Sequence, residues 1–150
     1  MNRYFVHPEN PNKRSVDKAI EVLENSGIII YPTDTVYGIG CNLYDKRALE
    51  RVYRLKGKSK FESMSLIVKD IRQASTYARI SNQAYHTLRH CLPGPYTFIL
   101  PATREIPKAM LSKRKEVGIR IPDNNVCHLI IEEFGNPLVN TSVNVTHDEL

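Results

Sequence analysis

Residues able to do chemistry concentrate in two stretches of this 150-residue chain. The first, GIIIYPTDTVYGIG from Gly27 to Gly40, sets Thr33, Asp34, Thr35 and Tyr37 just past an apolar run, Ile28 to Tyr31, that Pro32 ends. Hydroxyls and a carboxylate at a strand end can hold a small polar ligand, and open α/β sheets place ligands there. The same residues could instead only shape a turn and cap the next element. The second stretch, Lys46 to Lys60, carries seven basic side chains (Lys46, Arg47, Arg51, Arg54, Lys56, Lys58, Lys60) and one acid, Glu50. It holds a formal +6 in a chain of net charge +5, so the remainder carries −1 and the excess is local. A local excess suits an anionic ligand. Arg47, Arg51 and Arg54 recur at helical spacing and share a face. Lys56, Lys58 and Lys60 alternate, so in an extended segment they project to one side. Their ammonium groups repel one another, and a triphosphate would relieve that repulsion. On the residues alone, a solvated basic face or a nucleic-acid surface is the simpler account.

The elements that must position these groups are set by periodicity and punctuation. Ser15 to Ser26 reads as a helix capped by Ser15, with Val16, Ala19, Ile20 and Leu23 on one face and Gly27 as its stop. Ile28 to Tyr31 reads as a strand buried on both faces, ended by a proline that has no N–H to donate. Asp45 caps a second helix with the stripe Ala48, Leu49, Val52, Tyr53 and Leu55. Ser65 to Val68 is a short strand. Asp70 and Ser81 start two more helices, ending near Ala78 and Leu92, where Pro93-Gly94-Pro95 enforces a stop. Tyr96 to Leu100 and Val117 to Ile121 are strands. Residues 101 to 116 read as a mobile loop or irregular helix. Asp123 caps a helix to Phe134 with Gly135 as its exit, and Leu138 to Ser142 is the last strand. Strands alternating with helices, without a linker or repeat, predict one α/β domain over 1–150 with a largely buried sheet.

Composition narrows the function classes. The chain is 41% hydrophobic and 25% charged, which is globular rather than disordered. No apolar run approaches membrane-spanning length, and the N-terminus lacks the apolar core of a secretion signal, so a cytoplasmic protein with no membrane partner is expected. Cys41, Cys91 and Cys127 are odd in number and widely spaced, and read as reduced, mostly buried small apolar residues. No His/Cys spacing suits a metal, so no metal site is expected. The final HDEL, His147 to Leu150, and the sequon at Asn144 need a secretory route that nothing here supplies, and are read as coincidence.

An ordered set of short blocks adds to this. PTDTVYG comes after the first strand. KGKSKFESMSLIV runs from Lys56 to Val68, PGPYTFIL from Pro93 to Leu100, GIRIP from Gly118 to Pro122, and NTSVN from Asn140 to Asn144. Each block alone is short; together, in this order from about Gly27 to Thr146, they resemble the YrdC-like family, which includes threonylcarbamoyl-AMP synthases and the related YciO proteins. The resemblance implies a YrdC-like twisted mixed sheet flanked by helices, with a basic concave cavity. It also implies the substrates ATP, L-threonine and bicarbonate, with Mg²⁺ on the phosphates.

The implied reaction is a nucleotidyl transfer. Threonine's amine and bicarbonate form a carbamate, a carbamate oxygen attacks the α-phosphorus, and pyrophosphate leaves. The threonylcarbamoyl-adenylate then feeds threonylcarbamoyladenosine formation in tRNA. Such a site positions anions and stabilises growing negative charge, and needs no protein nucleophile. By resemblance Lys56 and Lys58 are catalytic, and Thr33, Thr35 and Arg120 hold threonine. Arg120 does so with a two-pronged grip on its carboxylate. Lys56, Lys60, Ser142 and Asn144 hold the nucleotide, Arg51 or Arg54 is a rim or tRNA contact, and Thr97 could contact ligand or simply pack, with packing favoured.

Some positions depart from the family pattern. Lys58 stands where the family's K-x-R has arginine, and a planar fork becomes a point charge. Ser59, Phe61 and Ser63 replace its P-x-D-x-P, and an apolar Phe61 in place of a carboxylate changes metal or water handling. STYA at Ser75 to Ala78 leans towards the YciO branch. Family domains continue well past the S-x-N motif, so the usual C-terminal portion is expected to be lacking. The alternatives are therefore a YciO-like protein that binds tRNA or double-stranded RNA through its basic concavity, and an enzyme acting on a related adenylate.

Overall fold

Side-chain alternation along the strands decides how this chain layers. The computed structural model describes residues 1–57, 64–108, 110 and 114–143. In chain order they form α1 (Lys13–Glu24), β1 (Ile29–Tyr31), β2 (Gly38–Asn42), α2 (Lys46–Leu55), β3 (Ser65–Ile67), α3 (Ile71–Tyr77), α4 (Asn82–Cys91), β4 (Phe98–Pro101), β5 (Glu116–Arg120), α5 (Asn125–Phe134) and β6 (Leu138–Ser142). The strands make one six-stranded sheet in the order β1-β2-β6-β3-β5-β4. β3 and β5 run parallel, and every other neighbouring pair is antiparallel. This is the mixed α/β sheet flanked by helices that the sequence predicts.

One face is mostly apolar. Cys41, Leu66, Val117, Ile119 and Val139 pack there against Ala48, Leu49, Val52 and Tyr53 of α2, Ala74 and Tyr77 of α3, and Leu88 of α4. The other face is divided. Tyr31, Ile67 and Leu138 form its apolar part, covered by Val16 and Leu23 of α1 and by Val126, Cys127, Ile130 and Ile131 of α5. Beyond them the registers align Gly40, Asn140, Ser65 and Gly118 in one row across β2, β6, β3 and β5, with Gly38 opposite Ser142. Small and polar residues thus pave half a face that would otherwise have to be apolar to hold a helix.

Helix starts are decided by their caps. Asp45, Asp70 and Ser81 accept from the backbone N–H of Ala48, Gln73 and Ala84. α1 begins earlier than predicted because Asn12, not Ser15, is its N-cap, accepting from the Arg14 N–H at 2.8 Å. α5 is capped by Asn124 rather than Asp123. Gly135 ends it at φ +88°, a left-handed conformation that costs glycine little.

The structure corrects the first strand. β1 lies at the edge of the sheet, and Ile30 is half-exposed rather than buried. β2 was not predicted, because its sequence GIGCN reads locally as a turn. Leu55, placed in the α2 stripe, is exposed. The described part of 101–116 is tied to the fold rather than loose: Thr103 N–H donates to Tyr77 O at 2.9 Å, and Ile106 is buried. No helix among the described residues is long and apolar enough to cross a membrane.

Two expected outcomes test this account. A Cβ on Gly40 would lie 2.5 Å from Val139 O and 2.7 Å from the Tyr31 hydroxyl. Gly40→Ala is therefore expected to lower unfolding stability by about 1–3 kcal/mol in a urea titration. The Ser26 hydrogen bond and the Ala48 and Arg47 backbone N–H groups hold the Asp45 carboxyl below its ordinary 3.8. A depressed folded value means its stabilisation is complete above the unfolded value and is lost as pH falls through the folded one. Asp45→Ala is expected to cost about 1 kcal/mol at neutral pH. The gap from wild type should shrink in urea titrations carried below pH 3.8.

Candidate functional site

The connection from β1 to β2, residues 32–37, is a turn organised by its own threonine. Thr33 Oγ1 donates to Val36 O at 2.6 Å and accepts from the Thr35 N–H at 3.1 Å. Its hydroxyl therefore serves the turn, as the turn-shaping reading has it, while Thr33 O accepts from Asn124 Nδ2 at 3.4 Å. Thr35 is exposed and points its hydroxyl at Arg120, whose Nη2 donates to Thr35 Oγ1 at 3.1 Å. The same Nη2 lies 3.5 Å from Asp34 Oδ1, and the Asp123 N–H donates to Asp34 Oδ2 at 2.9 Å. Asp34 thus joins the turn to both the end of β5 and the start of α5. Its side chain and that of Arg120 are each 11% exposed, so this is a largely dry ion pair whose members need each other.

Lys56 ends α2 as its C-cap, and Gly57, at φ +61°, turns the chain away. Lys56 Nζ donates to Ser142 O at 2.6 Å, across to the last residue of β6. Ser142 pairs with Gly38, and the Val143 N–H donates to Tyr37 O at 2.9 Å. The 32–37 connection consequently meets Arg120 at Thr35 and leads straight into the strand end that Lys56 reaches. Two contacts are thus shown, Arg120 with Thr35 and Lys56 with the Ser142 carbonyl, and the 32–37 connection runs between them. Lys58, Lys60 and Asn144 lie outside the described residues, as does Phe61. Arg51 Nη1 instead donates to Ser26 O at 3.3 Å, closing the exit of α1, and Arg54 is exposed.

The floor holds a buried polar network. Tyr31 donates its hydroxyl to Asn140 Oδ1 at 2.5 Å, and Asn140 Nδ2 donates to Ser65 Oγ at 3.0 Å. Ser65 Oγ in turn donates to Asn140 O at 3.3 Å. Burial keeps the Tyr31 phenol protonated well above its ordinary range, with a smaller opposing pull from the Arg120 charge. Gly38 and Gly40 make room for this network, since a Cβ on Gly38 would sit 2.3 Å from Asn140 Oδ1. Sequence reasoning left Asn140, Ser65 and Tyr31 without site roles and gave Asp34 only the general one of a carboxylate past a strand end. The available signal was Asn140 and Ser142 two apart, and so on one face of their strand. Thr97 is exposed, with its methyl group 3.0 Å from where a Cβ on Gly118 would lie. Burial pushes the Cys41 and Cys127 thiols up to about 12, which suits inert core residues. Among the described residues no three His, Cys, Asp or Glu side chains converge as a metal would need.

A family model described as telomere recombination, Sua5/YciO/YrdC, matches residues 21–150. The chain belongs to the Sua5/YciO/YrdC family. It is 37% identical to the uncharacterized protein YciO of Escherichia coli K12 over 93% of this chain and 68% of that one. The crystal structure of E. coli YciO superposes with a TM-score of 0.90, covering 95% of this chain and 70% of that one. A threonylcarbamoyl-AMP synthase of Enterobacter sp. strain 638 is 32% identical over 88% of this chain and 71% of that protein. P. abyssi Sua5 complexed with L-threonine shares the fold at a TM-score of 0.85 and 24% identity, over 90% of this chain and 40% of that one. The family likeness predicted from the ordered blocks therefore holds, and both of its branches, YciO and synthase, lie among the relatives.

The Tyr31–Asn140 bond can be tested directly. Tyr31→Phe keeps the ring between Gly38 and Gly40 but leaves Asn140 Oδ1 without its donor. An unfolding titration is expected to show a loss of about 1–3 kcal/mol, and an unchanged midpoint would refute the assigned bond.

Proposed function

We propose that this chain is an ATP-dependent synthase of the threonylcarbamoyl-AMP type, which joins L-threonine, bicarbonate and ATP and releases pyrophosphate. The observation that supports the reading is that one connection, residues 32–37, meets Arg120 at Thr35 and leads into Gly38, the partner of Ser142, whose backbone carbonyl accepts from Lys56. In this reading Arg120 and Thr35 hold the threonine carboxylate. Lys56, together with Lys58 and Lys60, meets the phosphates and the carbamate, and Ser142 and Asn144 hold the nucleotide. The chemistry asks for placed cations and donors and for no nucleophile, and the buried high-pKa thiols offer none. Both Asp34 oxygens are already committed to protein donors, so Mg²⁺ is best supplied with the ATP phosphates as part of the substrate. The adenylate would serve threonylcarbamoyladenosine formation in tRNA, in the cytoplasm.

The second reading is a YciO-like protein that binds tRNA or double-stranded RNA, or acts on a related adenylate. It is favoured by the 37% identity to E. coli YciO against 32% to the synthase, and by Lys58 and Phe61 in place of the family's arginine and aspartate.

Pyrophosphate release separates the two. The first reading expects release only when ATP, L-threonine and bicarbonate are all present, with Lys56→Ala about 100-fold slower. It also expects calorimetric binding of ATP weakened in Lys56→Ala and Ser142→Ala. Absence of turnover, together with RNA affinity that falls steeply with salt and with Lys56→Ala, establishes the second.

A further inference from the structure

Arg120 cannot give a ligand carboxylate a two-pronged grip and keep all its present contacts. A guanidinium offers two forks, one from Nε–H with Nη2–H and one from Nη1–H with Nη2–H, so Nη2 is common to both. That nitrogen carries two hydrogens, and both have protein acceptors here: Thr35 Oγ1 at 3.1 Å and Asp34 Oδ1 at 3.5 Å. The Asp34 contact is the longer, well beyond the 2.7–2.9 Å usual for a charged pair. It is also the one whose loss leaves the turn in place. Asp34 Oδ2 keeps the Asp123 N–H, Thr33 O keeps Asn124 Nδ2, and the Thr33 hydroxyl keeps Val36 O. None of these bonds involves Asp34 Oδ1.

We infer that Asp34 is a positioning residue that reserves the Arg120 fork in the empty site and yields it to the substrate's carboxylate, so that amino-acid binding exchanges one carboxylate for another. The exchange rests on the proposed amino-acid site at Arg120. Its physical reason is burial. A guanidinium only 11% exposed needs a counter-charge whenever the site is empty. The same carboxylate, still tethered to the Asp123 N–H, then stands beside the incoming one and opposes it. Asp34 therefore stabilises the empty protein and weakens the grip on the substrate, and these two effects have opposite signs in one variant.

The test is Asp34→Asn, read by thermal unfolding and by calorimetric titration with L-threonine and with L-threonine amide, which lacks the carboxylate. The variant is expected to unfold at a lower temperature when empty. It is also expected to bind L-threonine about tenfold more tightly while its affinity for the amide is unchanged. A merely structural role would lower stability and weaken both ligands alike, and that outcome, or unchanged L-threonine affinity, overturns the inference. Should Asp34→Asn fail to fold, the wild type crystallised with L-threonine decides. Arg120 Nη2 moved from Asp34 onto the ligand carboxylate, with Asp34 still on the Asp123 N–H, supports the exchange; an unbroken Arg120–Asp34 contact refutes it. A wild type that binds neither ligand refutes the proposed amino-acid site itself, a result distinct from a wild type that binds L-threonine and a variant that binds it no better.

Discussion

The polar half of the sheet depends on one buried hydrogen bond, from the Tyr31 phenol to the Asn140 carboxamide. A carboxamide on a residue that is 2% exposed must be satisfied from within the protein. Tyr31 supplies its acceptor with a donor, Ser65 takes its amide hydrogen, and three strands, β1, β6 and β3, are thereby fixed to one another. The aromatic ring needs the space of the two glycines in β2. One of those glycines, Gly38, pairs with Ser142, the residue whose carbonyl Lys56 reaches. Packing, pairing and charge placement are consequences of the same contact.

This also explains which parts of the fold could be read from the sequence. Asp45, Asp70 and Ser81 were legible as caps because a cap is a local event, decided within four residues by a side-chain acceptor and a free N–H. Where two competent caps adjoin, as at Asp123 and Asn124, locality does not choose. Asn124 takes the helix, while the Asp123 backbone N–H is claimed by Asp34, 89 residues away. β2 was illegible for the opposite reason. Its glycines answer a ring and a carboxamide from distant strands, and no window of the sequence holds all three. β1 misled because an apolar run reports hydrophobicity and not position in the sheet. Ile29, Ile30 and Tyr31 look alike in sequence, but only an interior strand would bury all of them.

The site shows the same division. The ordered blocks located Thr35, Arg120, Lys56 and Ser142, and the structure pairs Arg120 with Thr35 and Lys56 with the Ser142 carbonyl. Spacing alone assigned Arg120 no partner, since Asp34 is 86 residues away in the chain. Thr33 and Thr35 look equivalent in sequence, yet the first hydroxyl is spent within its turn and the second faces outward to Arg120.

The two described cations of the site are not electrostatically equivalent, and this shapes what the site can accept. Arg120 is neutralised by Asp34. Lys56 meets a carbonyl oxygen, which takes a hydrogen bond but leaves the charge uncancelled, and no carboxylate lies within ion-pair distance of it among the described residues. Lys56 also sits at the C-terminus of α2, where the helix dipole favours a cation. An incoming polyanion therefore finds net positive charge at the β6 end of the region and near neutrality at Arg120. Long-range attraction acts at Lys56, whereas Arg120 discriminates at contact range, by the geometry of its fork. Such an arrangement attracts anions by charge at Lys56 and offers a shape-selective fork at Arg120.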